Sequence, residues 1–222
     1  MRNISRVPLN QSPTIKVMNT RTNLVLVLAA ALSASAFVTL SAAPETYKID
    51  PVHSSVGFTI RYFVTQVHGT FTKFAGTIVV DRDHLENSTV EARIEVASID
   101  TEFGVRDDDL RSDRFFSAAE LPFITFKSKF WEKTGEDTFD VTGDLKIRDV
   151  TKEVVLKTKS LGFGPAVGPG MRGAMVSGWE ISTTINRNDF GITVYPIVLG
   201  DDVAVTITVG AELQNSKAPT DG

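Results

Sequence analysis

Residues 89–99, TVEARIEVASI, begin with a strict alternation of apolar and charged side chains. In an extended chain Val90, Ala92 and Ile94 point to one side, and Glu91 and Arg93 point to the other. Such a strand has one dry face and one wet face, whereas strands of a helix-covered parallel sheet are apolar on both. The stretch therefore predicts an antiparallel sheet that packs one face against a core.

The same alternation recurs along most of the chain after residue 54. Further runs with one apolar face span residues 55–63, 70–81, 124–130, 139–147, 154–156, 175–185 and 203–211. In the third of these runs, the period of two places Phe126 and Phe130 on the same apolar face. About eight or nine such strands in one domain predict an all-β fold whose antiparallel sheet closes on itself, as a barrel or a sandwich.

Two stretches interrupt this pattern. Residues 105–120 (VRDDDLRSDRFFSAAE) predict a single short helix, with Asp107–Asp109 at its N-terminus and Pro122 beyond its end. We expect that helix to cap one end of the barrel. The glycine- and proline-rich residues 162–173 predict a long hairpin connection, with a lid over the barrel as the alternative.

The first 43 residues differ in composition from the rest. They carry four basic residues and no acidic one, an apolar run over 24–32 and a small-residue end at 41–43. This order is typical of a secretory signal peptide, with cleavage after Ala36 or Ala43 and a start at Met1 or Met18. The alternative is a buried N-terminal helix or an uncleaved anchor. We expect an exported domain over residues 44–214, a flexible tail over 215–222 and no stable membrane span after cleavage.

Composition excludes several classes of function. The chain has 222 residues and no cysteine, which rules out disulfides, thiolate metal sites and thiol catalysis. Without the four basic residues of the leader, 19 basic residues face 27 acidic ones, a net charge of −8. Such an acidic domain argues against general nucleic-acid binding.

Catalytic and metal-binding motifs are missing from the sequence. The histidines His53, His68 and His84 lack metal-ligand spacing, and there is no nucleophile elbow or dinucleotide loop. The aspartates near residue 107 do not have the spacing of a calcium loop, and helix capping explains them. We therefore expect no metal, no cofactor and no enzymatic activity.

The interior is the remaining candidate for function. An eight-stranded barrel has an interior that side chains just fill or that holds one small apolar ligand. The chain has 14 Phe and only 3 Tyr, which suits either case. Alternation assigns faces but does not separate a cavity from a packed core.

A series of short motifs follows in a fixed order along the chain: DPVHS (50–54) with VGF (56–58), HGTF (68–71) with FAG (74–76), RDDDL (106–110) with FKS (126–128), GDL (143–145), VTK (150–152), INRNDFG (185–191) and GDDV (200–203). In this order the motifs resemble the bacterial YceI-like family of periplasmic polyisoprenoid-binding proteins. The resemblance covers residues 47–213, nearly all of the expected domain. It departs from the pattern at Tyr62 and Asp109, where many members have histidine, so the ligand of this chain is expected to differ in its headgroup.

The resemblance implies a lipocalin-like barrel in the periplasm that shields an isoprenoid tail from water. Combined with the alternation, it predicts eight tail contacts: Phe58, Ile60, Phe74, Ile78, Phe126, Phe130, Trp179 and Ile181. For each of them the alternative is an inert core position.

A quinone or phosphate headgroup would need polar donors at the mouth of the barrel. Arginine forks onto phosphate oxygens, so the candidates are Arg106, Arg111 and Arg187. The alternative for these three is ion pairing with Asp107, Asp113 or Asp189.

Three functions therefore compete. The first is a lipid-binding barrel for a polyisoprenoid, quinone or polyprenyl phosphate. The second is a structural or stress-response barrel with a packed core and a protein partner, and the third is a lipid-modifying enzyme. A homodimer is compatible with each of them, and the sequence does not choose an oligomeric state.

Overall fold

A computed structural model describes residues 43–168 and 171–214. The expected leader, apart from Ala43, and the expected tail lie outside the described residues. The strands are β1 (Glu45–Ile49), β2 (Ser55–Tyr62), β3 (Thr65–Phe71), β4 (Phe74–Val80), β5 (Thr89–Glu95), β6 (Ile99–Asp100), β7 (Phe123–Lys133), β8 (Thr138–Ile147), β9 (Val150–Gly168), β10 (Met171–Asn186) and β11 (Leu199–Leu213). One α-helix, α1 (Gly104–Arg111), precedes β7.

The strands form a closed antiparallel barrel. Eight of them follow one another around the ring in the order β1, β4, β5, β7, β8, β9, β10 and β11, and β1 pairs with both β4 and β11 to close it. Further along β11, β2 replaces β1 as its neighbour, and β3 and β6 extend the sheet from there. The predicted all-β barrel of about eight strands with one helix is confirmed.

Two groups of buried apolar side chains divide the barrel along its axis. The first fills one end around Tyr47, Trp131, Phe139 and Trp179, and we call this the closed end. The second lies towards the other end, which carries α1, the β2–β3 turn and the β10–β11 loop. These elements surround an opening that we call the mouth.

A β-bulge in β7 shifts the face on which its later residues lie. Ser128 pairs with Gly143, but Phe130 already pairs with Thr142, so Lys129 is an extra residue in the ladder. Past the bulge, Trp131 points inward and is 6% exposed, while Phe130 points outward and is 54% exposed. The prediction that Phe130 shares a face with Phe126 is therefore wrong, because one inserted residue reverses the alternation.

The two irregular stretches also differ from the expectation. The helix ends at Arg111, where the Ser112 hydroxyl donates to the Asp109 carbonyl, and turns follow up to residue 120. It ends early because Phe115 and Phe116 leave the helix face to pack into the barrel. Residues 162–168 and 171–173 are strand rather than loop, since the ends of β9 and β10 pair across Met171 and Gly168.

In the described part of the chain, no helix has the length and apolar character needed to cross a bilayer.

Candidate ligand cavity

The barrel encloses a cavity of about 1110 Å³ that opens at the mouth. This volume matches the upper end of the range for pockets that bury small ligands, about 300–1,000 Å³. Inward-facing residues of β2, β4, β5, β7, β10 and β11 line its walls, and nearly all of them are aliphatic or aromatic. Charged side chains are concentrated near α1 at the mouth. The interior is therefore suited to an apolar chain with one polar end.

Six of the eight predicted tail contacts lie on the cavity wall. They are Phe58, Ile60, Phe74, Ile78, Phe126 and Ile181. Phe130 lies on the outer surface because of the bulge in β7, so the prediction that it contacts the ligand tail is wrong. Trp179 points inward as expected but lies in the closed end, below the cavity.

Trp179 belongs to an aromatic cluster that plugs the closed end. Its ring lies edge-on to Trp131 and Phe163, with centroids 5.6 and 5.7 Å away, and its Nε1 donates to Ser177 Oγ at 3.1 Å. Such edge-to-face pairs stabilise beyond the area they bury. The indole is fully engaged in packing, so Trp179 is the floor beneath the cavity rather than a ligand contact.

Polar groups seal the same end from outside. Arg82 lies 4.8 Å from the centre of the Phe163 ring and donates to the Tyr47 hydroxyl at 2.6 Å. That hydroxyl in turn donates to Glu45 Oε2 at 2.7 Å. Burial, followed by the hydrogen bond to Glu45, raises the pKa of Tyr47 above its ordinary value. The phenol is thereby kept protonated and the end closed.

Two glycines let large rings lie flat against the wall. A Cβ on Gly69 would collide with the ring of Phe58, its cross-strand partner, and a Cβ on Gly143 would come within 2.5 Å of the ring of Phe126. Neither glycine lines the cavity. Because the rings occupy the space that a side chain would take, they project less far into the interior.

Arg187, a predicted headgroup contact, has a structural role. The residue is 4% exposed, and its Nε donates to the Gly200 carbonyl at 2.8 Å. Its Nη1 donates to the carbonyls of Ile192 and Val194 at 2.6 and 2.8 Å, and Nη2 reaches Asp201 at 3.2 Å. A guanidinium used in this way holds the β10–β11 loop to β11 and is not available to a ligand.

Arg111 is also engaged, and it does not line the cavity. Its Nε and Nη2 donate to the carbonyls of Ala97 and Ile99 at 3.0 and 2.8 Å, and Nη1 pairs with Asp108 at 3.1 Å. These bonds attach α1 to the segment that ends in β6. Neither Arg111 nor Arg187 uses the predicted partners Asp107, Asp113 or Asp189.

Arg106, on α1, lines the cavity at its mouth, and the buried Arg187 lines the cavity as well, with its donors already engaged. The Nε of Arg106 donates to the Thr101 hydroxyl and its Nη2 to the Thr101 carbonyl, both at 2.7 Å. The carboxylates of Asp108 and Asp109 line the same mouth. Asp108 pairs with Arg111 and Asp109 with Arg114, so both carboxylates are already matched by arginines at the mouth.

Sequence reasoning missed a contact that ties the β10–β11 loop to α1. Arg114 Nη2 donates to Asp109 Oδ1 at 2.6 Å and to the Tyr195 hydroxyl at 2.8 Å. Tyr195 lines the cavity, and its ring is 6.1 Å from that of Phe115. These two neighbours hold the pKa of Arg114 above its ordinary value. No local pattern signals this contact, because 81 residues separate its two ends.

Comparisons with known proteins find the same fold and a family to which the sequence belongs. The family model described as the YceI-like domain matches residues 47–211.

The chain belongs to the YceI-like family.

A relative in this family, a UPF0312 protein of Enterobacter sp. strain 638, is 35% identical over 192 residues, which cover 85% of this chain and 97% of that protein. BcnA of Burkholderia cenocepacia has a similar fold, with a TM-score of 0.64 at 20% identity over 73% of this chain and 98% of that one. A polyisoprenoid binding domain from Saccharophagus degradans gives a TM-score of 0.57 at 16% identity, over 76% and 98% of the two chains.

The two departures from the YceI-like pattern lie close to the site. Tyr62 and Asp109 both line the mouth, on β2 and on α1. Within the described ranges 43–168 and 171–214, no three metal-ligating side chains come together. The two positions expected to differ from the family pattern therefore both lie at the opening.

Proposed function

We propose that this YceI-like protein is an exported, periplasmic lipid-binding protein that holds an isoprenoid-like chain in its barrel. The observation that carries the proposal is the apolar cavity of about 1110 Å³, closed at one end by aromatic rings and open at the other. Each buried methylene contributes about 0.8 kcal/mol, so a long chain would offset the cost of ordering it. The fold shared with a polyisoprenoid binding domain supports the same ligand class.

We further propose that the headgroup is uncharged, as in a quinone or an alcohol. Two of the three candidate arginines are engaged by backbone carbonyls and acidic side chains, and Arg106 is held by Thr101. Asp108 and Asp109 at the opening already pair with Arg111 and Arg114, so these two guanidinium groups are also engaged and less available to a phosphate. A quinone carbonyl could still accept from Arg106.

The leader composition supports export, and membership of the YceI-like family together with the fold of a polyisoprenoid binding domain supports binding rather than turnover. The alternative of a packed barrel that acts through a protein partner is less well supported, because the interior is not filled. An enzyme acting on a lipid would need Asp109 or its neighbours, so loss of turnover in Asp109→Asn would support that alternative.

The first experiment is native mass spectrometry of the protein purified from its own periplasm, followed by organic extraction. A stoichiometric polyprenyl species is the expected result. The purified protein is then titrated with a polyprenyl quinone, a polyprenol and a polyprenyl phosphate. We expect the Kd of each neutral lipid to be at least tenfold lower than the Kd of the polyprenyl phosphate. In the Asp109→Asn variant we expect this ratio of Kd values to be smaller.

A matched pair of variants tests whether the ligand occupies the barrel. Ile181→Trp fills the lower part of the cavity and should weaken binding at least tenfold. Ser182→Trp adds the same ring to the next residue of β10, which is exposed on the outer face, and should leave binding unchanged. A protein that is empty on extraction and takes up none of the three lipids would refute the proposal.

A further inference from the structure

Exposed apolar side chains surround the mouth on three separate loop tips. The β2–β3 turn presents Phe63 and Val64, the start of α1 presents Phe103 and Val105, and the β10–β11 loop presents Ile197. Val64 and Ile197 are 102% and 86% exposed. We call these five residues the rim. Large apolar groups gathered at one place on a surface usually mark a contact with something else.

The backbone holds the rim in this outward arrangement. Phe63 and the neighbouring Tyr195 have φ angles of 51° and 54°, in the left-handed region that costs a bulky residue free energy. The Phe63 amide donates to the Val198 carbonyl at 2.8 Å, which joins two of the three tips. The exposure of the rim is thus built into the loops.

The rim continues directly into the cavity. Phe63, Phe103 and Val105 belong both to the rim and to the cavity lining, whereas Val64 and Ile197 lie outside the lining. A lipid that entered past these side chains would have apolar groups beside it from the rim into the cavity. This continuity links the rim to the source of the ligand.

Charges of both signs lie just behind the uncharged tips. The cations include Arg61, Arg106, Arg111 and Arg114, and each is bonded to a residue of the mouth end. Glu102, Asp108 and Asp109 are the neighbouring anions. Such a mixed ring complements a zwitterionic headgroup, which carries a phosphate and an amine, and it does not favour an anionic surface.

The size of the rim favours a bilayer over a protein. A stable protein interface uses about 20–30 residues on each side, and the rim supplies five. Aromatic side chains with a polar tip, such as Tyr62 and Tyr195 beside the rim, suit the boundary between lipid and water.

We propose that the rim docks the mouth onto a zwitterionic lipid bilayer, so that the ligand passes between bilayer and cavity without crossing water. The docking step is inferred from the rim alone and does not depend on the identity of the ligand. Only the passage of the ligand rests on the proposed function.

Vesicle flotation tests the docking step. Vesicles of phosphatidylcholine and phosphatidylethanolamine are mixed with the wild-type protein and with the Val64→Asp/Ile197→Asp variant. The matched control is Phe130→Asp/Val155→Asp, which adds the same charge to exposed apolar positions on the barrel wall. We expect the rim variant to lose at least tenfold in partition coefficient and the control to match the wild type. Replacing part of the lipid by phosphatidylglycerol should not strengthen binding.

A second readout separates docking from ligand binding. Polyprenyl quinone is supplied either from detergent micelles or within the vesicles. The rim variant should bind the micellar quinone like the wild type but take it from vesicles at least tenfold more slowly. Failure of both proteins to bind micellar quinone would refute the proposed ligand and leave the flotation result valid. The docking proposal would be overturned if the wild type did not float with the vesicles, or if the rim variant floated as well as the wild type. Either result would favour delivery by a protein partner.

Discussion

The buried guanidinium of Arg187 joins three stretches of chain at the mouth end of the barrel. It satisfies the carbonyls of Ile192, Val194 and Gly200, which would otherwise lie in an apolar environment without a donor. A charge buried in this way is costly to bring out of water, and its partners are costly to leave unpaired. Arg187 therefore contributes to the stability of the fold rather than to ligand affinity.

Replacing this arginine should unfold the protein more easily. We expect Arg187→Met to lower the free energy of unfolding by about 3–5 kcal/mol, because three carbonyls lose their donor. Urea denaturation measures the change, with the exposed Lys48→Met as a control that should stay within about 0.5 kcal/mol of the wild type. If the variant instead had unchanged stability and weaker lipid binding, Arg187 would be a headgroup contact, as predicted from the sequence.

The phenol of Tyr47 makes stability depend on pH at the alkaline end. Its pKa is raised by burial and by the bond to Glu45, so the folded protein holds the proton more tightly than the unfolded chain does. This contribution is fully present below about pH 10 and is lost as pH rises through the folded pKa. We expect the wild type to lose more unfolding free energy than Tyr47→Phe between pH 9 and pH 11. Parallel losses in the two proteins would contradict this account.

Among the elements, β7 shows how one residue decides which side chains reach the interior. The bulge at Lys129 places Trp131 in the closed-end core and Phe130 on the surface. The alternation of β5 and of residues 203–211 in β11 has no such interruption, and the sequence predicts the inward face of both correctly. Period-two reasoning succeeds where the ladder is continuous and reverses after an inserted residue.

The two aromatic residues of β7 should respond very differently to truncation. Trp131→Ala should cost about 3–5 kcal/mol, because it leaves a void among the rings of Phe139 and Trp179. Phe130→Ala should change stability by less than about 1 kcal/mol, since the ring is more than half exposed. Thermal unfolding of both variants gives the comparison, and equal losses would mean that Phe130 faces the core.

For the whole molecule, the barrel and its cavity could be predicted only in part. Alternating strands and ordered motifs indicate the closed barrel, and six of the eight proposed contacts lie on the cavity wall. The polar partners could not be predicted, because contacts such as Arg114 with Tyr195 or Arg187 with Gly200 depend on the path of loops far apart in sequence. The cavity itself depends on side-chain volumes that alternation does not encode.

A filled cavity should stabilise the whole molecule. A ligand that binds only the folded state at 100 times its Kd adds about 2.7 kcal/mol. For a domain of this size, that corresponds to a rise in Tm of about 5–10 °C. Calorimetry with a polyprenyl quinone should show this rise for the wild type and none for Ile181→Trp. An equal rise in the variant would place the lipid outside the barrel.

The glycine behind the Phe58 ring makes the width of the interior adjustable by a residue that no ligand touches. A single methyl group at Gly69 would meet only the far part of that ring and the Thr101 methyl, so the ring would have to swing inward. At Gly143 the same methyl would also strike the Lys127 carbonyl, and the backbone itself would have to move. A substitution at position 69 can thus narrow the interior for slimmer cargo while every lining residue keeps its identity.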